Sequence, residues 1–61
     1  MNFKEILKQG INDYMGLIEI DDRIIERAKK ETRPEMMKLA NDRIKKYEKQ
    51  IEEMQEMIKT L

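Results

Sequence analysis

Apolar residues return at alternating spacings of three and four through the second half of the chain. They fall at Met37, Ala40, Ile44, Tyr47, Ile51, Met54, Ile58 and Leu61. That alternation is the seam of a heptad helix, sustained over about three and a half repeats. Met36 and Met57 flank the seam and widen it. The segment Thr32-Arg33-Pro34-Glu35 reads as its start: a capping box with Thr32 as N-cap, and a proline in the first turn, where no N–H is needed. The residue before a proline avoids helical angles, so a preceding helix should end near Lys30 or Glu31.

That preceding helix is predicted from about Asn2 to Lys30. Projected at about 100° per residue, its apolar side chains fill a broad arc made of two stripes. Phe3, Leu7, Ile11, Tyr14, Ile18 and Ile25 form one, and Ile6, Leu17, Ile20, Ile24 and Ala28 form the other. Two stripes imply two contacts, one with the second helix and one with another chain. Gly10 and Gly16 each cost about 1 kcal/mol relative to Ala in a helix, so a break near Gly16 or at Asp21-Asp22 stays open.

The expected fold is therefore all-α: a single domain over residues 1–61, with helix 1 about 2–30, a turn about 31–33 and helix 2 about 33–60. So short a connection makes the helices antiparallel neighbours. A chain of 61 residues buries only about 60% of its unfolded surface, and small domains compensate with disulfides, metals or association. There is no Cys and no His, so association is expected: a homodimer of hairpins packed as a coiled-coil-like four-helix bundle. In plan, such a dimer resembles the small RNA-binding hairpins that regulate plasmid copy number. The resemblance is one of layout, and no residue or activity carries over from it.

The same absences limit the chemistry. Without His, Cys or Ser, the common nucleophile–base pairs and zinc sites have no members. A Glu-x-x-His di-iron site cannot exist either. No enzyme activity, metal or cofactor is expected. The N-terminal residues carry an acid and no long apolar run, and no window approaches the length of a membrane span. The expectation is a cytoplasmic protein with no membrane partner.

Charge then adds structure to the picture. Charged residues are 43% of the chain, with 13 basic and 13 acidic side chains. Residues 27–49 hold nine basic and four acidic side chains, net +5. Residues 1–26 hold three and six, and residues 50–61 hold one and three, net −3 and −2. Folding as a hairpin gathers the basic middle at the turn and both acidic ends at the other end. Arg23, Arg27, Arg33 and Arg43 are candidates for holding a nucleotide or nucleic acid at that tip, since guanidinium groups suit phosphate. The plain alternative is a solvated helix surface with i,i+4 pairs such as Glu19–Arg23 and Glu26–Lys30.

Asp21 is the most informative single residue. It falls inside the apolar arc, where a carboxylate is costly unless it is bonded. In an antiparallel hairpin it faces Arg43, Ile44 and Tyr47. It is expected to accept a hydrogen bond from Tyr47 or to pair with Arg43, unless the helix bends there. Met15, Met36 and Met57 lie off or beside the seams and are candidates for a protein-binding patch. The functional expectation is a small interaction protein (a regulator, inhibitor or adaptor) acting through helix-mediated association. Anion binding at the tip and a purely structural oligomerisation role are the alternatives.

Overall fold

The computed structural model describes residues 2–61. Two helices pack against each other: α1, Phe3–Glu31, and α2, Pro34–Lys59. The molecule measures 45 × 17 × 10 Å. Its thickness is that of one helix with its side chains, so the hairpin is a slab one layer deep. No helix among the described residues is long and apolar enough to cross a membrane.

α1 starts on Asn2, whose Oδ1 accepts the Glu5 backbone N–H at 2.8 Å. This closes one of the four orphan donors of the first turn. The helix then runs unbroken through both glycines and Asp21-Asp22 to Glu31. Gly16 lies on the exposed side with open space around it, so it interrupts nothing. Gly10 has a packing reason: a Cβ there would sit 3.2 Å from Met54 Cε and 3.3 Å from its Sδ. A side chain at residue 10 would force Met54 to move.

The turn corrects one expectation. Thr32 is not the N-cap of α2. It ends α1 instead, in the left-handed conformation at φ 54°, ψ 55°. Its N–H donates to Lys29 O, and the Arg33 N–H donates to Ala28 O at 2.9 Å. Those two bonds are a Schellman closure of α1. The connection is too short for Thr32 to serve both helices. Arg33 therefore becomes the N-cap of α2, without a side-chain cap bond, and Pro34 opens the helix. A β-branched residue is poorly suited to positive φ, where L-residues lose about 1–2 kcal/mol. Thr32→Gly is expected to stabilise the hairpin by about 1 kcal/mol, read as a higher melting temperature in a thermal denaturation. An unchanged or lower midpoint would show that the turn does not take this form in solution.

Between the helices lies a paired seam. On α2 it consists of Met37, Ala40, Ile44, Tyr47, Ile51, Met54 and Ile58, all buried or half-buried, while Leu61 beyond the helix is exposed. On α1 it consists of Leu7, Ile11, Tyr14, Ile18, Asp21, Ile25 and Ala28, again buried or half-buried. Both sets alternate three and four, as knobs-into-holes packing requires. Tyr14 and Tyr47 meet across it with ring centroids 5.5 Å apart. Phe3 departs from its expected place in the inner stripe, since it is 56% exposed. Ala28 departs the other way, fully inside the seam.

Candidate interaction face

Asp21 occupies a seam position between Ile18 and Ile25, and its side chain is only 6% exposed. A buried carboxylate is tolerated when it is paired and bonded. Arg43 meets that need from α2. Its Nη2 donates to Oδ1 at 2.9 Å, and its Nε donates to Oδ1 and Oδ2, both at 3.2 Å. The bond to the Asp21 carboxylate holds the Arg43 guanidinium above its ordinary pKa, against the opposing effect of burial. Arg43 is charged at every physiological pH. Tyr47, the other candidate partner of Asp21, packs against Tyr14 with the rings tilted by 36° and is half-buried.

Arg43 does not lie in the seam. It belongs to a line on the flank of α2 that runs Met36, Arg43, Gln50, Met57, one residue per heptad. The equivalent line on α1 is Phe3, Gly10, Leu17, Ile24. Two antiparallel helices are related by a local two-fold axis normal to their common plane, so equivalent flanks fall on the same side of the hairpin. The contacts agree. Arg43 reaches Asp21 from one flank line, and Gly10, on the other, abuts Met54. Just outside these lines run Ile6, Asp13, Ile20 and Arg27 on α1, and Leu39, Lys46, Glu53 and Thr60 on α2.

One broad side of the slab therefore carries the exposed apolar side chains Phe3, Ile6, Leu17 and Ile20 from α1 and Met36, Leu39 and Met57 from α2. The opposite side is built on α1 from Glu5, Lys8, Asn12, Met15, Glu19, Asp22, Glu26 and Lys29. On α2 it is built from Lys38, Asn41, Lys45, Glu48, Glu52, Gln55 and Lys59. That side is polar apart from Met15. The hairpin has a wet face and an open apolar face, with the Asp21–Arg43 pair on the turn side of the latter's midpoint.

This placement sorts the candidate residues. Met36 and Met57 sit on the apolar face at opposite ends, whereas Met15 points to the wet side, 51% exposed. Leu39, 59% exposed, belongs to the apolar face and stands out in sequence only as a lone apolar residue outside the seam. The four arginines do not form one cluster, although Arg27 and Arg33 share a carboxylate. Arg27 pairs with Glu31 at 3.4 Å, Arg33 with the same Glu31 at 3.7 Å, and Arg43 with Asp21. Arg23 lines a shallow groove with Asp22, Glu26, Arg27 and Lys30, where acids alternate with bases. The Glu26 carboxylate meets Lys29 at 4.0 Å rather than Lys30. Among the described residues no three acidic side chains gather closely enough to hold a metal ion.

The class defined by this fold and face is a helical hairpin with one uncovered apolar side. No family model matches the chain, and no curated protein or solved structure matches it either.

Proposed function

We propose that this chain is a small non-enzymatic interaction protein, a regulator or adaptor, that works by closing its apolar face against another helical chain. The first such chain is a second copy, giving a homodimeric four-helix bundle. The observation that carries this reading is the surface left uncovered. A folded monomer of 7.4 kDa exposes about 4,200 Å². This hairpin exposes 5064 Å², roughly 850 Å² more than that scaling gives. The surplus is close to the ~800 Å² that each partner covers in an interface of standard size.

Shape supports the same reading. The radius of gyration is 14.2 Å, against about 10.5 Å for a compact domain of this length. Stable domains stack two layers around a core, and the slab supplies one. Anion binding at the turn draws less support, because Arg27, Arg33 and Arg43 already have carboxylate partners.

Association makes stability depend on concentration. The melting midpoint, followed by circular dichroism, is expected to rise by several degrees over a hundredfold increase in chain concentration. A midpoint that stays fixed over that range, with full helicity at the lowest concentration, would count against the proposal.

A further inference from the structure

Charge on the apolar face is not evenly spread. Asp13 of α1 and Glu53 of α2 lie toward the open ends of the hairpin. Arg43 and Lys46 of α2 lie nearer the turn. The Asp21–Arg43 contact fixes the lengthwise register. Glu53 stands about 15 Å from Arg43 along α2 at 1.5 Å per residue, which sets it beside Asp13. The face thus carries an acidic band drawn from both helices and, nearer the turn, a basic band drawn from α2 alone, in which Arg43 is already paired with Asp21 and Lys46 supplies the net charge.

A self-complementary interface needs a two-fold axis. Only two axes bring this face onto itself with every neighbouring helix antiparallel. One lies along the hairpin, so that both turns are at the same end and α1 covers the partner's α2. The other lies across it, so that the turns are at opposite ends and α1 covers the partner's α1. In the first arrangement acid sits on acid, since Asp13 meets the Glu53 of the other copy. In the second α1 lies over α1 and α2 over α2, so Asp13 is carried away from the Glu53 of the other copy and Glu53 is carried toward its Lys46 and Arg43. Like charges facing each other across an interface are penalised, and complementary ones fix register.

Resting on the association proposed above, we infer that the second copy docks head to tail, turn against open end. Glu53 of each copy then lies toward Arg43 and Lys46 on α2 of the other, and Asp13 faces α1 of the other, away from its Glu53. The uncovered area matches what one such partner covers, and the bands supply the orientation.

The chain has no cysteine, so single introduced thiols report only contacts between chains. Mixing the Ile6→Cys chain with the Ile24→Cys chain under mild oxidation is expected to give covalent dimers. Disulfides need Cβ atoms about 4 Å apart, a distance that head-to-tail docking allows between the start of one α1 and the end of the other. Mixing the Ile6→Cys chain with the Met57→Cys chain should give at least tenfold less. The reverse preference would overturn the orientation in favour of turns at the same end. Absence of both cross-links in a chain that sediments as a dimer would place the contact on another face and overturn the inference. A chain that sediments as a monomer would overturn the association on which it rests.

Discussion

Replacing Leu17 and Ile20 together by Asp is expected to weaken self-association by more than about a thousandfold and, with it, to remove most of the helical signal at micromolar concentration. In the isolated hairpin the same two changes should do little. Leu17 and Ile20 are 41% and 52% exposed, and surface substitutions usually shift stability by within about 0.5 kcal/mol. In a closed bundle they bring four carboxylates into the middle of an apolar interface, where unpaired charge is heavily penalised. The size of the effect therefore reports whether this face is covered. Met15→Asp, on the wet side, is the matched control and should change neither association nor melting. If Leu17→Asp/Ile20→Asp melts like the unmodified chain, the apolar face is bare in solution.

A second large effect is expected at the Asp21–Arg43 pair. Arg43→Ala leaves a carboxylate, on a side chain 6% exposed, without its guanidinium partner, among Ile18, Ile25, Ile44 and Tyr47. The melting temperature should fall by on the order of 10 °C, given that small domains move several degrees for each lost kilocalorie. Asp21→Leu combined with Arg43→Ala should recover most of that loss, because an ion pair inside a protein is often replaceable by packed apolar groups. The difference between single and double variants is the coupling of the pair, free of what each side chain contributes alone. If Arg43→Ala melts at the unmodified temperature, the carboxylate is reached by water and the seam is looser than described. If the double variant keeps its stability but loses single-arrangement cross-linking, the pair sets orientation. That is the best-attested use of a polar residue at a seam position.

Much of this architecture is legible from spacing. The seam of α2 is uninterrupted from Met37 to Ile58, so its helical character and its inner face follow from the alternation of three and four. The hairpin follows from Pro34 placed so soon after the end of α1. Asp21 stands out because it holds a seam position between Ile18 and Ile25, where an apolar residue belongs. Other features draw on information the pattern lacks. Thr32 has the chemistry of an N-cap and the position of a C-cap. Nothing in a Thr signals positive φ, as a Gly would, so the capping-box motif points to the wrong helix. The helical projection already separates the two glycines, Gly10 on the apolar arc and Gly16 on the polar side, but that Gly10 abuts Met54 is information only the partner helix supplies. Phe3 and Ala28 trade stripes because each lies at an end of α1, where a small drift in helical phase moves a residue across the boundary. The common side of Met36, Leu39 and Met57 with Leu17 and Ile20 depends on how two helices face each other, which no single-helix projection contains.

On the proposed reading this hairpin is half of a four-helix bundle. Sedimentation equilibrium of the unmodified chain at moderate salt tests it most directly. A single species of twice the 7.4 kDa chain mass, dissociating on dilution together with its helical signal, is the expected result. A 7.4 kDa species that stays helical and melts cooperatively at every concentration would contradict it.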